Sequence, residues 1–418
     1  MNNKKTILTM SDHPLSPSGV GIQTKYFIEA LLQTGRYKVI SLAGAMKHDD
    51  YTPQKTEKYG DDWIIYPVDG YGNPEIIRSL MRTGKPDVIW FMTDPRFYGW
   101  LWEMEDEIHQ VCPIAYWHVW DNHPVPSYNS VLYESTDLIN CHSYLTYKFV
   151  NDMYPGKTNF VPHALPDELF FPIPEDQKKE FKKSVVSPER EDHFIAFWVN
   201  RNAKRKRPND LLWAWKLFMD KLEAKHGHRK ASLLLHTQPD DQEGPNLYAT
   251  SEMLGISDSV VFSPERIDFE KMNILHNISD ICINVSYAEG FGLATLEAMQ
   301  CGKPIIALKT GGLTRQVIDH RDGSENGVGL DVTHQTLVGS QQVPYIYEDY
   351  CSAQEIANAL MKMYELPKEE REALGEKARG YVQSEFALQD TIDQWDETLL
   401  ELMQNWRKRY KPWSIKEF

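Results

Sequence analysis

The stretch from Ile281 to Leu308 constrains the fold of this chain more than any other. It opens with Ile281–Val285, an apolar run of the length expected for a buried parallel strand. A loop with a carboxylate and two glycines follows, Glu289-Gly290-Phe291-Gly292, and apolar residues at helical spacing come next. A glycine and a proline end that helix, and Ile305–Leu308 begins a second strand. The order strand, loop, helix, strand places the loop at the sheet edge where α/β proteins bind ligands.

The loop has the chemistry of a phosphate site with a carboxylate on each side. The amides of Phe291, Gly292 and Leu293 are expected to point out of a helix N-terminus, which attracts anions. Glu289 precedes this cradle and Glu297 lies about one turn into the helix. Carboxylates beside a phosphate are unfavourable unless they accept hydrogen bonds from hydroxyls, so the pattern fits a nucleotide sugar. The alternative is one carboxylate that caps the helix and another that is solvated on its face.

The string from Ser286 through EGFGLATLEAMQCGKPIIA to Gly311-Gly312 resembles the Glu-x7-Glu signature of retaining nucleotide-sugar glycosyltransferases, glycosyltransferase family 4 (group 1). The resemblance implies the GT-B fold, an α/β architecture in which two Rossmann-like domains face a central cleft. It implies a hexosyl- or pentosyltransferase that moves a sugar from a nucleoside diphosphate sugar to an acceptor, with retention of anomeric configuration and without a metal. Glu289 would then contact the transferred sugar, Gly290 would complete the donor-binding loop and Glu297 would bind the ribose.

Length and composition agree with two domains, because 418 residues exceed one ordinary domain and suffice for two of about 200. We predict a first Rossmann-like domain on the acceptor side at residues 1–165, completed by a C-terminal helix at 391–418. A linker is predicted at 166–192, where prolines and acidic residues occur without periodicity. Residues 193–390 are predicted to form the second domain, which binds the donor.

The first predicted strand leads into a glycine-containing loop, Gly19-Val20-Gly21. As a dinucleotide fingerprint it is weak, because Thr24 replaces the third glycine. The strand Lys38–Leu42 is not followed by the acidic residue that holds an NAD ribose, so an NAD dehydrogenase is disfavoured. The family resemblance implies that Gly19 and Gly21 border the cleft.

A histidine follows the predicted strand Ile114–Trp117 and is expected at the cleft edge of the sheet. The resemblance implies that this residue, His118, contacts the donor sugar and takes part in catalysis. The alternative is a structural histidine bonded to the backbone. Asp121, three residues further on, is a candidate on the acceptor side.

A basic run, Arg201–Arg207, follows the predicted strand Phe194–Asn200. A solvated charge run is the usual explanation for such a cluster. The resemblance implies instead that an arginine and a lysine here hold the donor diphosphate, and Arg201 and Lys206 have the matching spacing. Family members often have glycine after the lysine, whereas this chain has Arg207.

Charge and cysteine content exclude several classes of protein. The net charge of −15 disfavours general attachment to nucleic acid. Five cysteines without a C-x-x-C pair favour a cytoplasmic protein without a disulfide framework or zinc site. No apolar run approaches the roughly 20 residues of a membrane span. No D-x-D motif stands at a strand end, so we expect no metal and no cofactor beyond the nucleotide sugar as co-substrate.

The sequence leaves the donor base, the sugar, the acceptor and the oligomeric state open. Acceptors from glycans and lipid-linked glycans to small metabolites or a modified nucleic-acid base fit it equally. A sugar-nucleotide epimerase of the same architecture and a catalytically silent nucleotide-sugar-binding protein are the alternatives. Gly329–Ser352 is expected to be a loop peculiar to this protein's subgroup, and the basic, aromatic tail from Trp406 is expected to be a helix end with a frayed terminus.

Overall fold

The structure is a computed structural model that describes residues 4–410. The last residues of the predicted C-terminal helix and of the basic tail, 411–418, lie outside the described residues. Within the described range the chain forms one mainly parallel sheet, one parallel sheet and one small hairpin. The predicted α/β fold class with two Rossmann-like sheets is confirmed.

The first sheet has eight strands in the order β3-β4-β2-β1-β5-β6-β7-β8. All neighbours pair in parallel except β3 and β4, which are antiparallel. The strand order reverses around β1, the position at which such sheets form a ligand crevice. The strands are β1 Lys5–Asp12, β2 Tyr37–Gly44, β3 Gln54–Lys55, β4 Trp63–Pro67, β5 Val88–Thr93, β6 Ile114–His118, β7 Leu138–Cys141 and β8 Thr158–Phe160.

The second sheet has six parallel strands in the order β11-β10-β9-β12-β13-β14. Its order reverses between β9 and β12, the two strands that precede the basic run and the glycine loop. Both motifs therefore lie at one edge of one sheet. The strands are β9 Phe194–Val199, β10 Ala231–His236, β11 Val260–Ser263, β12 Ile281–Asn284, β13 Ile305–Leu308 and β14 Gly327–Leu330.

Helices cover the faces of both sheets, as buried parallel strands require. They are α1 Gly19–Gln33, α2 Pro74–Thr83, α3 Gly99–Trp102, α4 Glu105–His109, α5 Ser130–Glu134, α6 Tyr144–Met153, α7 Glu175–Val185, α8 Pro208–His226, α9 Leu247–Met253, α10 Phe269–Ile278, α11 Leu293–Gln300, α12 Thr314–Val317, α13 Ala353–Glu365, α14 Lys368–Glu385 and α15 Leu388–Arg409.

The last helix, α15, packs against the first sheet although it follows the second in sequence. Its Trp395 is fully buried in an aromatic cluster with Phe27, Trp90 and Trp117. The Trp395 ring lies 5.3 Å from Phe27 and 5.5 Å from Trp117, both at steep angles typical of edge-to-face packing. This contact ties the two halves of the chain together at a point remote in sequence.

The predicted linker, residues 166–192, contains a regular helix, α7. Lysine and glutamate favour helix, and Phe181 and Val185 pack against the core of the second sheet. The aperiodic, proline-rich stretch 165–174 precedes this helix. The domain boundaries themselves stay predictions.

The expected subgroup loop, Gly329–Ser352, is a β-hairpin rather than an irregular connection. Its antiparallel strands are β15 His334–Val338 and β16 Ile346–Tyr350. The hairpin contacts both halves of the chain: the Tyr347 amide donates to the His123 carbonyl at 2.7 Å, and the Asp349 amide donates to the Tyr287 carbonyl at 2.8 Å. It therefore bridges the cleft.

Candidate active site

The glycine loop Glu289-Gly290-Phe291-Gly292, called the donor loop from here on for its predicted role, lies between β12 and α11, as predicted. Gly292 caps α11 with φ 95°, and a Cβ there would lie 2.5 Å from Leu313 Cδ2. Only glycine satisfies both the backbone angle and the space. The start of α1 lies against the same helix, because a Cβ on Gly19 would be 3.2 Å from Leu293 Cδ1. Both glycine loops thus meet at the cleft, and Gly21 donates its amide to the Ser18 cap of α1.

A buried ion pair lies at the centre of the site. The ammonium of Lys206 contacts the carboxylate of Glu289, and both side chains are almost fully buried. Burial raises the pKa of the Glu289 carboxyl, but Lys206 and then Arg205 outweigh it and bring that pKa down to about 2. Burial lowers the pKa of the Lys206 ammonium, and the carboxylate of Glu289 opposes this shift. Glu289 is therefore ionised at neutral pH.

The structure separates the two predicted diphosphate ligands. Lys206 lies in the site, whereas the Arg201 side chain is 61% exposed and its guanidinium bonds Asp241 at 2.9 Å. A role for Arg201 in donor binding stays a prediction, because its guanidinium here pairs with Asp241 and Glu243. Arg205 is the arginine that the fold brings to the site: its Nη1 donates to the Ala288 carbonyl at 3.3 Å. Burial lowers the pKa of Arg205, but the carboxylates of Glu289 and Asp121 outweigh that effect and raise it.

Glu297 lies on α11, about one turn from the start of the helix. His276 of α10 contacts it, with Nε2 at 3.0 Å from Glu297 Oε2. His276 is fully buried, and its ring packs edge-on to Phe197 at 5.0 Å. This contact holds the carboxylate in place, and the binding of a ribose by Glu297 stays a prediction.

His118 ends β6 as predicted, but its ring is turned into the protein. It is fully buried, and Nε2 lies 2.7 Å from the hydroxyl of Tyr133 in α5. Burial lowers the pKa of His118 to about 3, so the ring is neutral. These contacts suit the structural alternative, although the partner is a side chain and not the backbone. Its Nδ1 is buried without a hydrogen-bond partner among residues 4–410, and its catalytic role stays a prediction.

A second strand-end histidine, His142, reaches the donor loop in its place. His142 follows β7 and is 1% exposed, and its Nε2 lies 2.8 Å from the point where a Cβ on Gly290 would be. Its Nδ1 is buried and has no hydrogen-bond partner among residues 4–410. Burial lowers the pKa of His142 to about 4. Sequence reasoning missed this residue, although the strand-end rule applied to His118 also selects it.

Asp121 lies opposite the donor loop, across the cleft from Glu289. Its Oδ1 is 2.7 Å from the same Cβ point on Gly290. Burial raises the pKa of Asp121; Arg205 opposes this shift, and Glu289 adds to it. The fold therefore brings together Asp121 and His142 from the first sheet with Glu289, Lys206 and Arg205 from the second.

The buried histidines predict how stability depends on pH. His118 and His142 have folded pKa values of about 3 and about 4, below the ordinary value of 6.5. The unfolded chain therefore binds more protons between pH 6.5 and 4, and the free energy of unfolding falls as pH drops through that range. Each histidine contributes up to about 1.4 kcal/mol per pH unit.

Between pH 7 and pH 5, the free energy of unfolding should fall by about 2 kcal/mol less in His142→Gln than in the wild type. Urea unfolding at both pH values measures this difference. His334→Gln, on the exposed face of β15, is the matched control and should behave as the wild type. Equal losses in all three proteins would show that His142 is not buried in its neutral form.

The second half of the chain matches a known family. Residues 178–381 match the model described as Glycosyl transferases group 1. These residues are similar to a group 1 glycosyltransferase domain. The matched region contains the whole second sheet, the basic run and the loop and helix that carry Glu289 and Glu297.

Curated relatives align with the chain over part of their length. A D-inositol 3-phosphate glycosyltransferase 2 from Catenulispora acidiphila is 29% identical over 175 residues, which are 41% of this chain and 39% of that protein. A D-inositol 3-phosphate glycosyltransferase from Mycobacteroides abscessus is 41% identical over 83 residues, 20% of this chain and 17% of that protein. The chain thus matches less than half of either relative.

Solved structures match almost the entire chain. Sucrose-phosphate synthase from Thermosynechococcus elongatus superposes with a TM-score of 0.70 at 19% identity, covering 97% of this chain and 99% of that one. Anabaena HepE in complex with UDP and glucose superposes with a TM-score of 0.68 at 15% identity, covering 96% and 100%. At these identities the likeness shows only the fold. The chain has the GT-B fold, and residues 178–381 form its second half.

Among residues 4–410, no group of three or more histidine, cysteine, aspartate or glutamate side chains is arranged to hold a metal ion. No helix in that part of the chain is long and apolar enough to cross a membrane.

Proposed function

We propose that this protein is a retaining glycosyltransferase of the family 4 type, which moves a hexosyl or pentosyl group from a nucleoside diphosphate sugar to an acceptor. The observation that carries the proposal is the meeting, at one cleft, of the amide cradle at Gly290–Leu293, the Glu289–Lys206 pair and the first-sheet residues Asp121 and His142. The matched family and the UDP-containing structure of HepE support a nucleotide-sugar donor.

The second sheet is proposed to hold the donor. The amides at the start of α11 and the cations Lys206 and Arg205 would bind the diphosphate, and Glu297 would bind the ribose. Negative charge develops on the leaving diphosphate during transfer, so fixed cations and amides at that position lower the barrier. This set of groups stabilises the leaving group without a metal ion, and we propose that the enzyme needs no metal and no further cofactor.

The state of Glu289 favours same-face attack over a covalent intermediate. A carboxylate with a pKa of about 2 that is paired with Lys206 is a weak nucleophile. We therefore propose that Glu289 orients the sugar hydroxyls. The acceptor hydroxyl would form the new bond to the anomeric carbon, the bond to the diphosphate oxygen would break, and the acceptor proton would pass to that oxygen.

A transfer assay tests the proposal. The purified protein is incubated with nucleotide sugars and a panel of acceptors, in EDTA and in Mg²⁺, and release of nucleoside diphosphate and the product are measured. We expect release only with an acceptor, equal rates in both buffers and a product with the anomeric configuration of the donor. A product formed from donor alone would indicate an epimerase, and donor binding without any turnover would indicate a silent binding protein.

The two arginines of the basic run give a sharper test of the site. We expect Arg205→Ala to lower turnover about tenfold or more, because a charge-assisted contact to the leaving group is lost. Arg201→Ala, the matched control in the same run, should have a smaller effect, since its guanidinium bonds Asp241. Steady-state kinetics of both variants decide between them. A larger loss for Arg201→Ala would show that Arg201 turns into the cleft with the donor.

A further inference from the structure

The cleft-bridging hairpin carries a buried carboxylate at its base. Asp349 of β16 is 4% exposed, and it accepts three hydrogen bonds from three different elements. Asn122 Nδ2 donates to it at 2.7 Å, Thr310 Oγ1 at 2.7 Å and Gln335 Nε2 at 2.7 Å. Each donor is neutral. A buried carboxyl group that is held by side-chain donors depends on all of them, since losing one leaves its oxygens poorly solvated.

Two of those donors adjoin the candidate active site. Asn122 follows Asp121 directly, on the first sheet's side of the cleft. Thr310 precedes Gly311 on the second sheet's side, and a Cβ on Gly311 would lie 2.1 Å from the Glu289 carbonyl oxygen and 2.3 Å from that of Asp121. The backbones that carry Asp121 and Glu289 therefore meet at Gly311, one residue from the Asp349 contact.

The hairpin backbone strengthens the same junction. The Asp349 amide donates to the carbonyl of Tyr287, two residues before Glu289, at 2.8 Å. Further out, the Tyr345 hydroxyl bonds Ser127 Oγ at 2.6 Å, and the rings of Tyr345 and Tyr128 meet at 4.9 Å. One strand thus contacts the segments after β6, after β12 and after β13.

We propose that Asp349 is a positioning residue that fixes the separation of Asp121 and Glu289 across the cleft. It acts through its hydrogen bonds from Asn122 and Thr310. The hairpin thereby supports the active site through Asp349. This inference rests on the proposed function, since it assumes that Asp121 and Glu289 act on the same sugar and acceptor.

The test compares Asp349→Asn with Asp331→Asn, a carboxylate that is 78% exposed near the start of the hairpin. The asparagine amide presents a donor where three donors converge, so at least one hydrogen bond is lost. We expect turnover to fall about tenfold or more, with KM and nucleoside diphosphate affinity within about twofold of the wild type, because the proposed donor ligands lie on the second sheet. Asp331→Asn should match the wild type in every measurement.

A reciprocal swap separates positioning from mere stability. Asn122→Asp combined with Asp349→Asn restores a donor and an acceptor between these two side chains but removes the hydrogen bond from Asn122 Nδ2 to the Tyr347 carbonyl. Turnover should therefore rise by about threefold or more above that of Asp349→Asn without reaching the wild-type value. Normal turnover in Asp349→Asn, or turnover in the swap no higher than in Asp349→Asn and in Asn122→Asp alone, would overturn the proposal.

Amide hydrogen exchange provides a readout that does not depend on activity. In Asp349→Asn, exchange should rise in residues 119–128 and 309–313, and unchanged exchange there would overturn the proposal even for a protein that transfers no sugar. Absence of transfer by the wild type would instead count against the proposed function, so the two failures are distinguishable.

Discussion

Glu289→Gln is expected to lower transfer by about a thousandfold, because it removes the charge that orients the sugar in a buried, water-poor site. Affinity for the free nucleoside diphosphate should change little, since that fragment does not include the sugar. Single-turnover kinetics with saturating donor measure the first effect and calorimetry measures the second.

The same substitution is expected to lower the free energy of unfolding by about 3 kcal/mol, because it leaves the buried Lys206 ammonium without its partner. Turnover must therefore be expressed per folded molecule. Glu243→Gln is the matched control: that carboxylate is 60% exposed and bonds Arg201 at 3.1 Å. Near-normal turnover in folded Glu289→Gln would remove this carboxylate from the mechanism.

Lys206→Met is expected to weaken binding of the nucleoside diphosphate about 10- to 100-fold, the loss of one or two charge-assisted hydrogen bonds. The unbranched methionine fills the space of the lysine stem, so the cavity term stays small. Lys204→Met, in the same basic run but exposed, is the control and should bind as the wild type. Calorimetric titration measures both affinities, and equal affinities would show that the ammonium does not reach the diphosphate.

A double-mutant cycle tests the pair itself. Each single variant, Glu289→Gln and Lys206→Met, leaves one group of the pair buried without its counter-charge. The double variant removes both, so it should be more stable than the sum of the two single losses predicts, by about 1–3 kcal/mol. Additive losses would show that the two side chains are independent.

The donor loop could be predicted from sequence because its chemistry is local. Glu289, the glycines and Glu297 belong to one strand–loop–helix unit, and their spacing alone fixes which side chains share an edge. The strands predicted at Lys38–Leu42, Ile114–Trp117, Phe194–Asn200, Ile281–Val285 and Ile305–Leu308 agree with the structure to within about two residues, since short apolar runs bounded by turns indicate buried strands. The strands β3, β14, β15 and β16 were not predicted. Parallel sheets made of such strands then follow from the alternation with helices.

The remaining site residues depend on contacts that spacing does not encode. His118 and His142 both end strands, and only the position of Tyr133 shows which ring turns inward. Arg201 and Arg205 are equally basic in the sequence, and only the structure shows that Arg201 pairs with the acidic residue Asp241. Asp349 lies far from Asp121 in sequence, so its role emerges only when the hairpin crosses the cleft.

The central claim is that a nucleoside diphosphate sugar binds to the second sheet, at the edge where Lys206 and Glu297 lie. Thermal unfolding in the presence of a panel of nucleoside diphosphates and nucleotide sugars tests it most directly, because a ligand that binds the folded state raises the melting temperature. We predict a rise with one nucleoside diphosphate and its sugar conjugates that is reduced in Lys206→Met and Glu297→Ala and kept in Lys204→Met. No rise with any compound of the panel, or equal rises in all four proteins, would contradict the account.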